Sequence, residues 1–243
     1  MSTTPDITLV EETGSTNADL AVAVARAEPL MEGYWLIARA QSAGRGRQGR
    51  QWKSPTGNFH GSTLVRLHLG DPAPQSLALV AAIAVHDAVR VASSGNVVPQ
   101  IKWPNDLLVG GAKLAGILLE RSGDVVIAGI GVNLAQAANL PDRRTVALGE
   151  LGYPIAVEAF AEILAECFAV ALHTWRGEAL SATAAAWCAR AHPRGTLLTL
   201  TDGSDAGLTG AFDGLEEDGS LRLLLADGRV QRIVAGEVAL AAS

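Results

Sequence analysis

The sequence predicts an α+β protein: a mixed sheet flanked by helices, with a small β unit at the C-terminal end. Three observations carry this expectation. Strand-like runs at 34–40 and 61–69 are followed by a helical run at 74–93. A second group of strand-like runs, at 101–108, 113–120 and 125–134, is joined by glycine-containing turns. Residues 196–240 then read as short strands broken at Asp202-Gly203, Asp218-Gly219 and Asp227-Gly228, a spacing that suggests a small barrel. With 243 residues the chain has room for one large domain and one small one, and Pro193-Arg194-Gly195 marks the boundary, giving 1–192 and 193–243. Hydrophobic residues at 49% against 18% charged exclude disorder as the main state.

Residues 1–8 are polar, with neither a basic start nor an apolar block, so no signal peptide is read there and a cytoplasmic protein is expected. Thr13-Gly14-Ser15-Thr16-Asn17 precedes a run at 18–27 with apolar residues at a helical period, and Ser15 or Thr16 suits an N-cap. Two readings stand side by side. The hydroxyls satisfy only the free amides of the helix, or three short polar side chains at a helix N-terminus make a hydrogen-bonding cup for a small polar ligand head.

The strand at 34–40 delivers Gln41 and Ser42 into Gly44-Arg45-Gly46-Arg47-Gln48-Gly49-Arg50-Gln51-Trp52. The chain has 19 basic residues against 25 acidic ones, so three arginines within nine residues do not follow from overall composition. Glycine lets backbone approach a ligand closely, and a guanidinium offers a rigid fork suited to phosphate or carboxylate. The segment reads as a phosphate clamp. Gly44, Gly46 and Gly49 also fit the G-x-G-x-x-G dinucleotide fingerprint, but Lys53-Ser54-Pro55-Thr56-Gly57 breaks the helix that fingerprint must open. One short run and a pI near 5.4 argue against a nucleic-acid arm, which leaves a solvated loop as the bland alternative. Three glycines and no apolar anchor before Trp52 predict a loop with little packing of its own.

The apolar run at 77–91 is interrupted by His86, Asp87 and Arg90, so it reads as a buried helix and not a membrane span. The next strand carries Lys102 and Trp103, stops at Pro104 and presents Asn105 and Asp106, which either start a turn or form a functional pair. Gly110-Gly111 joins it to a strand with Lys113 at the mouth of an otherwise apolar run. In 125–134, Gly129, Gly131 and Asn133 leave one face nearly bare, a mark of close backbone or ligand approach. Pro154 reads as the first position of a long amphipathic helix to about 175, and 178–191 adds an alanine-rich second helix. Cys167 and Cys188 lie in helix-like apolar runs, and His60, His68, His86, His173 and His192 make no close pair, so neither residue type suggests a metal site.

Four motifs in this order, Gly44-Arg45-Gly46-Arg47-Gln48-Gly49-Arg50, Lys102-Trp103-Pro104-Asn105-Asp106, Lys113-Leu114-Ala115-Gly116-Ile117 and Gly129-Ile130-Gly131-Val132-Asn133, resemble those of the biotin protein ligases. The likeness runs from about Thr13 to the end. It is similar to the short form of the family, because the residues before Thr13 are too few for a DNA-binding winged helix, and neither DNA binding nor a membrane partner is expected. The resemblance implies a catalytic domain similar to class II aminoacyl-tRNA synthetases and an SH3-like C-terminal domain that assists ATP and carrier-protein binding. It implies a two-step reaction in which biotin and ATP give biotinyl-5′-adenylate, which acylates a lysine of the biotin carboxyl carrier protein of acetyl-CoA carboxylase or a related carboxylase. A homodimer stays open.

By the same resemblance, Ser15, Thr16, Asn17, Gln41, Arg45, Gly46, Arg47, Lys113 and Gly116 would bind biotin. Arg45, Arg47, Arg50, Trp52, Asn105, Lys113 and Asn133 would bind ATP. Lys113, Arg45, Arg47 and Asp106 would be catalytic, Asp106 as a group that orients or deprotonates the incoming lysine, and Asn105 and Asp106 would lie near Mg²⁺. Adenylation crowds negative oxygens together, so fixed cations such as Arg45, Arg47 and Lys113 suit its chemistry. One departure stands out: Asn58-Phe59-His60-Gly61 occupies the place of an Asn-Leu-Tyr-type sequence. The alternatives are a lipoate-type protein ligase, whose own arginine and glycine motif is absent here, and a regulator that binds biotin or a nucleotide without turnover.

Overall fold

The computed structural model describes residues 5–140, 143–216 and 218–240; residues 1–4, half of the polar start read as leaderless, lie outside this range. Its larger sheet has seven strands in the order β1 (Ile7–Thr13), β2 (Trp35–Gln41), β3 (Phe59–Arg66), β7 (Val125–Val132), β6 (Ala112–Ser122), β5 (Asp106–Val109) and β4 (Gln100–Lys102). Strands β1 and β2 run parallel, joined by the crossover helix α1 (Thr16–Ala25), and all later neighbours are antiparallel. The sheet is therefore mixed, as expected. Strand β1 has no counterpart in the sequence reading. It is a half-exposed edge strand whose Glu11-Glu12 end breaks apolar alternation, so no period-2 signal marks it.

Residues paired directly across strands project from the same face of a sheet. Phe59, Ile130, Ile117, Val132 and Ala115 face one way and join the main core with α2 (Leu77–Ala92) and α3 (Val157–Gly177). Edge-to-face aromatic pairs tie the sheet to α3: Trp35–Phe59, Phe59–Phe160 and Trp35–Phe168, with ring centroids 6.2, 5.6 and 5.6 Å apart. On the opposite face Leu20 of α1 packs on Leu64, Val125 and Ile127, a smaller cluster that covers one end of the sheet and leaves the other open. By length and composition α2 passes as a membrane span, yet eleven of its sixteen residues are buried in the protein. Its apolar run is explained by a core facing several sides at once.

One expectation needs correction here. The long third helix starts at Val157, after an extended Ala156, so Pro154 precedes the helix and does not open it; a proline's fixed φ suits extended backbone as well as a first helical turn. The C-terminal strands β8 (Leu197–Leu200), β9 (Thr209–Leu215), β10 (Leu221–Leu224), β11 (Val230–Ile233) and β12 (Val238–Leu240) form an antiparallel sheet ordered β11-β10-β9-β8-β12. Among the described residues β11 and β12 form the two edges of this sheet, a five-stranded antiparallel unit compatible with the SH3-like domain expected there. Its three Asp-Gly turns are as read from the sequence, with Gly203, Gly219 and Gly228 at φ of 81, 84 and 84°. Apolar packing continues across the 192/193 boundary, where Trp187 of α4 (Leu180–Cys188) meets Phe212 edge-on at 6.3 Å and the Trp103 indole N–H donates to Gly219 O at 3.1 Å.

The short turn at Pro74–Ser76 that precedes α2 contains a buried polar pin. Trp175 Nε1 donates to Ser76 Oγ at 2.7 Å, and that hydroxyl donates to Ala73 O at 2.6 Å. Ser76→Ala strands a buried indole N–H, so urea denaturation should show a loss of about 1–3 kcal/mol. An unchanged midpoint would mean that this bond does not join α2 to α3.

Candidate active site

On the α1 face of the larger sheet, side chains are missing where a cavity of about 260 Å³ opens. His60, Gly131, Gly116 and Asp106 form one cross-strand row through β3, β7, β6 and β5, and Ser62, Gly129 and Leu118 form the next. A Cβ added at Gly129 would overlap the Asn17 amide, and one at Gly131 would overlap the Trp52 indole; at Gly116 it would lie 2.9 Å from Trp52 Cζ3. The bare face read from the glycines is therefore real, and protein side chains make the close approach. All fourteen site residues expected from the sequence line this one cavity.

At its α1 end the cavity is lined by buried hydrogen-bonding groups. Ser15, Thr16 and Asn17 are 6%, 3% and 4% exposed. Gln41 Oε1 accepts from the Thr16 amide at 2.9 Å, and Gln41 Nε2 donates to Ser54 Oγ at 3.2 Å. Ser62 Oγ donates to Asn17 Oδ1 at 2.6 Å. A hydroxyl has one proton, so in the 2.6 Å Thr16–Ser62 contact the Ser62 oxygen accepts. Asn17 Nδ2 in turn donates to Glu120 Oε2 at 2.7 Å. Ser15 sits at the N-cap of α1, yet its side chain makes no capping bond. The cap reading fails on that point, and the hydroxyl lines the cavity instead.

The arginine loop forms the roof. It is tied by its own short ladder, an Arg45–Gln51 bridge with Gly46 N donating to Arg50 O at 2.7 Å and Trp52 N to Gly44 O at 2.9 Å, and it turns at Gln48 and Gly49 with φ of 56 and 72°. Three of its own side chains anchor it to the rest of the protein. Arg47 Nη1 donates to Asn105 Oδ1 at 3.4 Å and to Gly236 O at 3.3 Å, Gln48 Nε2 to Asp202 Oδ2 at 2.5 Å, and Arg50 Nη1 to both oxygens of Glu237 at 2.5 and 2.7 Å. The expectation of little packing is thus corrected: apart from Asn105, the anchors lie on connections between C-terminal strands, about 150 to 190 residues away in sequence, where no local pattern reveals them. Arg45 is half exposed and reaches Glu120 Oε1 at 3.4 Å.

The far end of the cavity is cationic. Asp106 receives Lys113 Nζ at 2.6 Å, with Arg143 at 3.9 Å and Lys102 at 4.0 Å. Burial, followed by repulsion from Lys113 and Arg143, pushes the Lys102 ammonium below its ordinary pKa against the pull of Asp106. Lys113 Nζ also lies 5.4 Å from the Trp52 ring centroid, within cation–π range. The amides of Asn105 and Asn133 are engaged in structure, Asn105 Nδ2 with Ile117 O at 2.7 Å and Asn133 Nδ2 with Val146 O at 3.2 Å. Asn105 and Asp106 therefore do not fit a protein-held metal: the amide nitrogen and oxygen are both bonded, and the carboxylate faces ammonium groups. Among the described residues no cluster of three or more His, Cys, Asp or Glu side chains is placed to hold an ion.

Sequence comparison fixes the lineage. The family model described as the biotin/lipoate A/B protein ligase family matches residues 13–136. A biotin–[acetyl-CoA-carboxylase] ligase of Paracoccus denitrificans is 39% identical over 95% of this chain and 98% of its own length. The chain belongs to this protein ligase family. A bifunctional ligase/repressor of Escherichia coli is 32% identical over 87% of this chain and 67% of its own length. Among solved structures, a biotin protein ligase from Aquifex aeolicus in complex with biotin and ATP superposes with a TM-score of 0.83 at 26% identity, covering 98% of this chain and 99% of its own. The ligase shares that fold along nearly its whole length, including the C-terminal sheet.

Four residues of this ligase's site lie outside the sequence reading. Glu120 and Ser62 are found by counting in twos from Gly116 and His60 along their strands, a signal available in the sequence. Arg143 and Glu237 have no such signal. His60, noted only as a departure, is 1% exposed and accepts the Trp52 indole N–H on Nδ1 at 3.3 Å. Burial depresses its pKa from 6.5 to about 4. The unfolded chain then binds a proton between pH 6.5 and 4 that the folded ligase refuses, so stability falls as pH drops through that window. The loss reaches on the order of 3 kcal/mol at the acid end. Urea midpoints at pH 7 and pH 4.5 should differ more for the parent than for His60→Phe; an equal difference would contradict a buried neutral imidazole.

Proposed function

We infer that this chain activates biotin with ATP to biotinyl-5′-adenylate and passes the biotinyl group to a lysine of a carrier domain of a biotin-dependent carboxylase. The observation that carries this reading is the polarity of the cavity, with a neutral hydrogen-bonding cup at one end and lysines around a buried carboxylate at the other. Biotin has the same polarity: its ureido ring offers two N–H donors and a carbonyl acceptor, and its valeryl arm ends in a carboxylate. In the first step a carboxylate oxygen attacks the α-phosphorus and pyrophosphate leaves. In the second, the lysine amine attacks the acyl carbon and AMP leaves. No protein nucleophile is needed in either.

Ser15, Thr16, Asn17 and Gln41 are assigned to the ureido ring, with Arg45 and Gly46 closing over it and Gly116 leaving room for the arm. Lys113 is assigned to the carboxylate and α-phosphate, whose negative charges must approach each other before bond formation. Trp52, backed by the glycine floor, offers a flat face to adenine, and Asn133 braces the strand that carries Lys113. Arg47 and Arg50 are assigned to closing the roof over the nucleotide. Asp106 holds and orients Lys113. Its role toward the incoming lysine is electrostatic. Mg²⁺ would come with the nucleotide phosphates and not from a protein cage. Two half-buried free thiols, Cys167 and Cys188, accord with a reducing cytoplasm.

The family also embraces lipoate ligases. A dithiolane ring offers no hydrogen bonds, so seating it among Ser15, Thr16, Asn17 and Gln41 would leave polar groups unmatched at about 1–3 kcal/mol each. This favours biotin. Lys113→Ala should abolish biotin-dependent exchange of labelled pyrophosphate into ATP, at least 100-fold, while circular dichroism stays unchanged, because Lys102 and Arg143 remain near Asp106. Exchange at the parental rate would remove Lys113 from the chemistry. A non-catalytic regulator would show no exchange in the parent either.

Arg47 tests the roof. It is the one arginine of the loop that joins both the strand turn at Asn105 and the C-terminal sheet at Gly236. Arg47→Gly should release adenylate roughly tenfold faster, as the loss of a charge-assisted hydrogen bond implies. Serum albumin incubated with the variant, ATP and biotin should then become biotinylated, as read on a streptavidin blot. Albumin labelled equally by parent and variant would count against the closure.

A further inference from the structure

We propose that His60 is a positioning residue for this site: its neutral imidazole takes the Trp52 indole N–H and fixes that ring over Gly131 and Gly116, facing Lys113. The inference rests on the reading of Trp52 as the adenine-side wall, and it concerns a residue of the Asn58-Phe59-His60-Gly61 segment, where the chain departs from the biotin ligase pattern.

Geometry carries the argument. His60 and Gly131 are direct cross-strand partners, so the missing Gly131 side chain leaves a slot beside the imidazole. The Trp52 ring fills that slot, since a Cβ at Gly131 would overlap its indole and one at Gly116 would reach its far edge. The donor and acceptor inventory then admits one protonation state. Pro55 O, 3.4 Å from His60 Nε2, can only accept, so Nε2 carries the proton. Trp52 Nε1 can only donate, so Nδ1 must keep its lone pair. A protonated ring would set two N–H groups against each other. With a pKa near 4 the imidazole stays neutral at working pH, so the acceptor is always available.

Apart from the His60 bond and Lys113 over its face, Trp52 is held through its backbone, whose N–H donates to Gly44 O at 2.9 Å. Its ring plane is therefore set by the glycine slot and the His60 bond together, and the slot alone permits the ring to slide or turn over. The bond selects one orientation, which places the ring within 5.4 Å of Lys113 Nζ. Losing it should weaken nucleotide binding and leave the chemical step intact, because His60 touches neither Lys113 nor Asp106.

Uniform labelling with 5-fluorotryptophan gives five fluorine resonances, one each for Trp35, Trp52, Trp103, Trp175 and Trp187, and Trp52→Phe assigns the second. His60→Phe should shift or broaden the Trp52 resonance alone and raise KM for ATP about fivefold in pyrophosphate exchange, the loss of roughly one neutral hydrogen bond, with kcat within twofold. His60→Asn, which presents an amide oxygen near the place of Nδ1, should recover part of both effects. The ¹⁵N shift of His60 Nδ1, compared between parent and Trp52→Phe, reads the same bond with His60 untouched. The inference is overturned if that shift is identical in the two proteins, if His60→Phe leaves KM for ATP unchanged, or if all five fluorine resonances move together. A parent without biotin-dependent exchange would overturn the ligase reading instead, and the fluorine and nitrogen comparisons would still decide the role of His60.

Discussion

The site depends on a patch of sheet without side chains. Strands pair at about 4.8 Å, so three glycines on adjacent rows of β6 and β7 remove the Cβ layer over an area comparable to an indole ring. Trp52 and Asn17 come down onto that floor, and each brings a different chemistry with it: Asn17 the hydrogen-bonding cup, Trp52 a flat wall under the arginine loop. Glycine within a strand costs stability, because it loses more backbone freedom on folding and packs nothing. The sheet tolerates this cost because its other face is closed by α2, α3 and an aromatic chain from Trp35 to Phe160. A one-sided core thus leaves the opposite face free to be shaped for a ligand.

Charge is arranged on the same rows. Asp106 is 7% exposed, and a lone carboxylate so placed would be costly; Lys113 at 2.6 Å offsets that cost, and Lys102 and Arg143 stand about 4 Å away. The carboxylate therefore does two things. It holds Lys113 at the strand mouth, and it lets cations gather in a partly buried pocket where they would otherwise repel one another. The depressed Lys102 records burial first and, behind it, the remaining repulsion. An anionic ligand arriving between Lys113 and the arginine loop would relieve it, which is a direct physical reason for such a cavity to attract phosphate or carboxylate.

Much of this was legible in the sequence, and what was not has identifiable causes. Segment identities were readable wherever a period was clean, as in α2 and in the strands at 112–122 and 125–132. The edge strand β1 was not, because one neighbour and a half-exposed surface leave no alternation to detect. Residues of the cavity clustered in short motifs and could be named, yet their bonding could not. Nothing local says that Asn105 spends its amide on Ile117, that Ser15 leaves its helix uncapped, or that Arg50 meets Glu237 from 187 residues away. Motif spacing reports which groups share a site; hydrogen-bond partners across a sheet or between sheets depend on register and docking, which no short window contains.

The longest-range of these links bears on how the cavity closes. Arg47, Gln48 and Arg50 are consecutive or nearly so, and their bonds run to Gly236, Asp202 and Glu237, three points on the connections between C-terminal strands. Asp202 further ties these points together by accepting the Glu237 amide. Each of these contacts is at least partly exposed and individually worth little, about 0–1 kcal/mol. Acting on one nine-residue loop that already has its own ladder, they share the entropy of ordering it, so the second and third cost less than the first. The roof over the cavity is in this sense a joint product of two sheets. Mutations in the turns around Asp202 or Gly236, which line no part of the polar cup, should therefore act on the site through the loop, as changes in how tightly it is held over the glycine floor.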